Sequence, residues 1–368
     1  MLGVRVVVIG LGAMGVAATR VLAERGHEVV GIDRHGVAND LGSSAHGQRI
    51  FRLAHDRPEY VRLARRALLH WRDLERRDGA SLLRATGLLE VGGPHEEIVA
   101  ALRAEHATVI ELDGAEAPDL FPGLTPRHGQ PARWQPAAGV LSARDCLLVQ
   151  ADLAARAGAE IATGEDVTSI DASAERAVVR TRLRRIEADV AVVAAGPWLN
   201  ELLRPLGLEQ PIESAMGQAS VFRGSGWDQR PCLIEWDRDG VEVGYGLPVL
   251  GSGYKLGLNA TNSWHPEDDE RRPDHAESLV LSRRVAERFV ALGQRPTRTE
   301  RCPVTTTPDG AFILDRRGPT VIAGGCSGHG FMFSPALGEL IADLVEGSRS
   351  SEPFRIDRPG LYPARLIS

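Results

Sequence analysis

Residues 4–33 read "VRVVVIGLGAMGVAATRVLAERGHEVVGID", and no other stretch restricts the fold of this 368-residue chain as strongly. "VRVVVIG" is a continuous apolar run suited to a strand buried on both faces. Gly10, Gly12 and Gly15 follow in "GLGAMG", and then a helix, "VAATRVLAERG", which Gly26 ends. A second strand, "HEVVGID", finishes on Asp33. Strand, glycine turn, helix, strand and acid within about thirty residues are the unit expected of a dinucleotide-binding fold. Gly10 permits the tight turn, Gly12 lets the backbone approach a pyrophosphate, and Gly15 lets the helix pack closely on the strand. The helix N-terminus carries partial positive charge. Asp33 would accept hydrogen bonds from an unphosphorylated ribose. FAD and NAD share this unit, so the choice between them rests on the rest of the chain.

Downstream, "GSSAHGQRIFR" (42–52) is a polar, irregular loop with two arginines three apart, and "PEYVRLARRALLHWRDLERRDG" has apolar positions at helical spacing. From 83 to 144 the chain turns to short apolar stretches, turns and prolines. Helical spacing returns in "RDCLLVQADLAARAGAE", before strand-like "EDVTSIDA", "RAVVRTR" and "ADVAVVAAGPW". Between about 212 and 300 the pattern is mostly short strands with glycine and proline turns. The last segment holds a strand, a glycine-rich loop and a helix. The simplest architecture is α/β: a Rossmann-like nucleotide domain from 1–82, 145–211 and 303–368, interleaved with a sheet-rich α+β substrate domain from 83–144 and 212–302.

Charge and composition exclude several classes. With 43 basic and 49 acidic residues the net charge is −6, and no basic arm is present, so nucleic acid is not expected as a partner. The apolar runs are too short for a membrane span. No signal-peptide pattern precedes the first strand, and a cytoplasmic location is expected. Cys146, Cys232, Cys302 and Cys326 are far apart without CxxC pairing, which argues against disulfides and a structural zinc. Lys255, in "GSGYKLGLNATN", is the only lysine beside 42 arginines (43 − 1).

Six segments, "GLGAMG", "GSSAHGQRIFR", "AAGPW", "YGLPVLGSGYKLG", "RCPVTTTPDGAFILD" and "GGCSGHGFMFSPALGE", occur in an order and spacing that resembles the monomeric sarcosine oxidase and N-methyltryptophan oxidase branch of the D-amino-acid-oxidase-like flavoproteins. The resemblance runs nearly end to end. It implies FAD rather than NAD and a monomeric enzyme that oxidises a small-molecule amine with oxygen as acceptor. The implied reaction is hydride transfer from the carbon bearing the amine to flavin N5, giving an imine and hydrogen peroxide. The resemblance puts Gly10, Gly12, Gly15, Asp33, Arg34, Ser44, Gln48, Arg49, Val167, Ala195, Gly196, Gly328, His329, Gly330, Phe331 and Met332 at the cofactor.

Cys302 matches a family cysteine bonded to the flavin 8α-methyl as a thioether. Arg301 beside it would favour the reactive thiolate and Glu300 would oppose it; a lone cysteine is more often an inert core residue, and the resemblance reverses that reading. Cys326 reads as a small residue in a loop passing under the flavin. Arg52 matches an arginine that holds the substrate carboxylate through its planar fork. His46 falls one place out of step with the family's histidine in that loop. Lys255 matches a lysine hydrogen-bonded through water to flavin N5, where a compact fixed positive charge favours oxygen reduction.

Two positions depart from the pattern. Met332 stands where sarcosine-type members have a second carboxylate-binding lysine, and Asn259 where they have a histidine. Loss of one cation weakens the hold on a free carboxylate by about 1.5–3 kcal/mol, and methionine offers an adaptable apolar wall instead. The expected substrate is a secondary or cyclic, amino-acid-like amine, bulkier or less anionic than sarcosine, with a biosynthetic intermediate as the expected source. The competing readings are an NAD-dependent dehydrogenase or imine reductase, and a flavin-binding protein without turnover.

Overall fold

The computed structural model describes residues 3–362 apart from 45, 94, 95, 174, 261, 267, 269 and 270. Its first layer is a six-stranded sheet in the order Ile313–Arg317, Thr320–Gly324, Val190–Val193, Arg5–Ile9, Glu28–Asp33, Glu160–Thr163. Neighbours are parallel except for the first two strands, which are antiparallel. The chain leaves Arg5–Ile9 towards Glu28–Asp33 on one side, and Val190–Val193 fills the other. A switch point of this kind leaves a crevice at the carboxyl end of the central strand, where Gly10 stands.

The helix Ala13–Glu24 covers one face of this sheet with Ala143–Arg156 and Ser334–Val345 packed against it. Small residues make the approach close: a Cβ at Gly338 would stand 2.7 Å from the carbonyl oxygen of Ala17. Gly26, at φ +84°, ends the first helix as its sequence position predicts, and His27 N–H bonds back to Leu22 O at 3.1 Å. Ile170, Val179 and Ile186, from a three-stranded antiparallel sheet, cover the opposite face against Val7, Ile9 and Val30.

A second, nine-stranded sheet is built from strands within 88–135 and 213–306. Glu213–Phe222 and Pro296–Thr306 pair antiparallel along nearly their whole length, which sets Cys302 opposite Gly217. Gly253–Gly257 lies on the other side of Glu213–Phe222 with Lys255 opposite Val221. Period-two alternation then sends Tyr254 and Leu256 into a core with Phe121, Trp227 and Phe289, and Lys255 to the other face.

The strand-rich reading of 212–300 is incomplete, because His275–Arg288 is a helix. Asp274 caps it, its carboxylate accepting from Glu277 N–H at 3.0 Å. Its stripe of Leu281 and Val285 packs on the sheet, and so short a stripe among charged residues is easily taken for turn. A small sheet of Gln48–Phe51, Gly139–Ser142 and Leu83–Arg84 carries the polar loop between the two large sheets. Among the described residues no helix is long and apolar enough to cross a membrane.

Candidate active site

Two clefts meet at the carboxyl end of the parallel sheet, sharing Ala13, Ser43, Ser44, Thr305 and Cys326 in their walls. Gly10, Gly12, Asp33, Arg34, Ser44, Val167, Ala195 and Gly196 all line the first. Gly10 is at φ +92°, and a Cβ there would stand 2.6 Å from Ala194 O. Gly15 lies behind the wall; a Cβ on it would be 1.8 Å from Gly10 O, so the helix could not seat. Ser44 Oγ accepts from the Ala13 N–H at 2.9 Å and fixes the polar loop over the helix N-terminus. Asp33 accepts from Leu11 N–H at 2.9 Å and from His35 and Gly36 N–H at 2.8 and 2.9 Å. Its carboxylate shapes the turn and retains lone pairs for a ribose hydroxyl. Arg34 stacks over Trp198, 4.3 Å from the ring centroid.

The second cleft, a cavity of about 400 Å³, gathers Gln48, Arg49, Arg52, Lys255, Asn259, Cys302, Gly328, His329, Gly330, Phe331 and Met332. Lys255 is 3 % exposed, and its Nζ lies 3.3 Å from both Gln48 O and Glu300 Oε2. Burial pulls the ammonium below its ordinary range, with Glu300 acting against that shift. Burial acts upwards on the Glu300 carboxyl, but Lys255, His46 and Arg298 overcome it and keep its pKa low. The pair is therefore ionic, a cation held in place by its own carboxylate. Arg49 donates to Gln48 O and Ser43 O, both at 2.9 Å, and tightens the loop beneath.

Cys302 is half-buried in the cavity wall with a free thiol. The strand turns Arg301 to the opposite face, where it bonds Arg272 O at 2.8 Å, so Arg301 is not the cation beside this sulfur. Glu300 shares the Cys302 face instead. Cys326 is pushed up to about 12 by burial and stays a thiol. Burial likewise pulls His329 down to about 4, leaving a neutral ring. His46 faces the cavity, its Nε2 2.9 Å from Arg301 O. Met332 is buried, and Trp71 Nε1 donates to its carbonyl at 2.8 Å. Asn259 is exposed at the cavity rim and donates from Nδ2 to Glu242 O at 2.6 Å.

Arg52 carries a network that sequence reasoning did not foresee. Its Nη1 lies 3.4 Å from Glu90 Oε1, and Arg133 Nη2 lies 3.1 Å from Glu90 Oε2. Gln135 Nε2 also donates to Glu90 at 2.8 Å, within a wholly buried cluster. Glu242 and Tyr245 line the same cavity, and burial raises both acids. Glu300 could have been found from its i, i+2 spacing to Cys302 on one strand. Glu90 and Glu242 meet Arg52 only through tertiary pairing, and no local pattern announces that.

The site suits a dinucleotide. A Cβ on Gly196 would meet nothing within 4 Å, leaving a smooth cradle in the first cleft. In the second, Gln48 Oε1, Ser43 Oγ and His329 Nδ1 are buried polar atoms without partners among the described residues. A parallel sheet whose glycine turn opens into a second, polar-lined cavity defines a dinucleotide-binding protein with a separate substrate-sized cavity.

Residues 5–344 match the family of FAD dependent oxidoreductases, and the chain belongs to that family. It is 31 % identical to the peroxisomal sarcosine oxidase of Homo sapiens, over 98 % of this chain and 97 % of that protein. It is 29 % identical to the monomeric sarcosine oxidase of Streptomyces avermitilis, covering 99 % and 97 %. The open form of NikD, described as an unusual amino acid oxidase essential for nikkomycin biosynthesis, shares the fold. That alignment has a TM-score of 0.85 at 24 % identity and covers 95 % of this chain and 96 % of that one. The family selects FAD over NAD for the glycine-turn cleft.

Proposed function

We propose that this protein is an FAD-dependent amine oxidase that converts a secondary or cyclic amine to an imine and passes the electrons to oxygen. The observation that carries this reading is the buried Lys255–Glu300 pair, in one cavity with Cys302, Arg52 and the loop 326–332. Similarity to enzymes named for oxidation of an N-methyl amino acid supports the amine class. The first cleft would hold the adenine dinucleotide through Gly10, Gly12, Asp33 and Ser44, and Cys302 would tether the flavin covalently. When bound, the flavin would supply the acceptor for a hydride from the C–H bond beside the amine nitrogen; with the N–H proton released as the imine forms, the two electrons would reduce oxygen to hydrogen peroxide.

The chain's own residues prepare that exchange. Ile50, Ile234, Leu247, Leu258 and Met332 give the cavity an apolar wall that favours the uncharged amine. Arg52 offers guanidinium donors for orientation, although Glu90 already engages it. Lys255, held by Glu300 and Gln48 O, keeps a compact charge and its hydrogen-bond donors inside the cavity, where oxygen would gain electrons. Cys146, Cys232 and Cys326, none of them in a disulfide, suit a reducing compartment, in keeping with a cytoplasmic location, and relatives named as monomeric support a monomer. The interleaved units are taken as 1–82, 145–211 and 303–368 against 83–144 and 212–302.

Acid precipitation of the purified holoenzyme tests the tether. Flavin is expected to stay with the wild-type pellet and to wash out of Cys302→Ser. Free flavin released from the wild type would remove Cys302 from this role.

A further inference from the structure

Arg52 and Glu242 line one end of the cavity, and Glu90 and Arg133 lie buried behind it. Glu90 is consumed by both arginines and Gln135. Glu242 differs: it faces the cavity, and among the described residues no side-chain hydrogen bond or ion pair reaches its carboxylate. Its backbone pairs with Trp236 in the sheet, and Asn259 Nδ2 donates to its backbone oxygen. Its carboxylate opens onto the cavity, and a cleft that keeps a carboxylate free of protein donors matches a ligand that brings one.

We propose that Glu242 selects the substrate: the amine carries, beyond its reacting nitrogen, a second basic nitrogen that stays protonated and pairs with the Glu242 carboxylate. The inference rests on the amine-oxidase reading above and sharpens its substrate class from a general amine to a diamine or a basic amino-acid derivative. The side chain is a specificity determinant rather than part of the fold's scaffold, since it holds no other element in place.

The test uses holoenzyme and two matched sets of probes, N-methyl-diaminoalkanes and the N-methylalkylamines in which methyl replaces the remote ammonium. Anaerobic flavin reduction gives a rate and an apparent Kd for each. Wild type is expected to favour the diamines by roughly tenfold or more, the size of one charge-assisted hydrogen bond. Glu242→Gln should abolish that preference, with the diamines losing roughly tenfold more than the monoamines. A wild-type preference for the monoamines overturns the proposal, as does an equal loss for both sets in Glu242→Gln; in either case amine oxidation itself still stands. If no amine reduces a flavin that dithionite reduces readily, the amine-oxidase reading fails and this inference with it.

Discussion

On the proposed reading the oxygen step turns on Lys255, and its buried setting suits a lysine better than an arginine. The cavity must take a small charge whose donors reach both Gln48 O and Glu300 at 3.3 Å. A planar guanidinium is larger and spreads its charge over a fork. Lys255→Met is expected to leave reduction of the flavin by substrate nearly intact and to slow reoxidation by oxygen by roughly two orders of magnitude or more. Stopped-flow reoxidation reads this directly, and unchanged reoxidation would remove Lys255 from the oxygen step. The single variant strands Glu300 as a buried carboxylate, so Lys255→Met/Glu300→Gln is the variant that keeps the cavity neutral. At this scale the sequence was informative where a residue type is rare or a motif is local, as with Lys255 and the three glycines. It misled at Arg301, because adjacency along a strand means opposite faces.

Between elements, the helix Pro58–Asp78 is tied to Ser334–Val345 by Glu339, which faces Arg66 and lies 2.9 Å from His70 Nε2. Burial acts upwards on this carboxyl, but His70 and Arg66 prevail and hold it at about 2. A carboxyl depressed in the folded state adds stability that is complete above its unfolded pKa of roughly 4.3–4.5 and is lost as pH falls towards about 2. Because the pair is partly exposed, its worth at neutral pH is about 0.5–1 kcal/mol. Urea midpoints should place Glu339→Gln below wild type at pH 7, with the gap closing at pH 3. A gap independent of pH would show that the contact acts through packing rather than charge. The sequence marked both helices through apolar spacing and the glycine at 79, whereas the pairing of their polar faces depends on docking.

Over the whole molecule, the parallel sheet and the nine-stranded sheet each draw on distant segments, and the site lies where they meet. Cys302 belongs to a strand of the large sheet, while Gly10 ends the central strand of the other. The Rossmann-like layer was legible because buried parallel strands and their glycine turn are local signals. The order of the nine strands was not, since Leu88–Val91 pairs with Cys232–Trp236 across some 140 residues of chain. Gln135, on the strand paired with Leu88–Val91, accepts from Leu53 and Ala54 N–H at 3.1 and 2.9 Å and so sets Glu90 beside Arg52, a contact that emerges only with the fold. The most direct test of the central claim is anaerobic titration of the bound flavin with a broad panel of amines and, in parallel, with NADH and NADPH. The account predicts that secondary or cyclic amines bleach the flavin, that sarcosine is a poorer reductant than the best of them, and that neither nicotinamide bleaches it. Bleaching by a nicotinamide with every amine inert would contradict it.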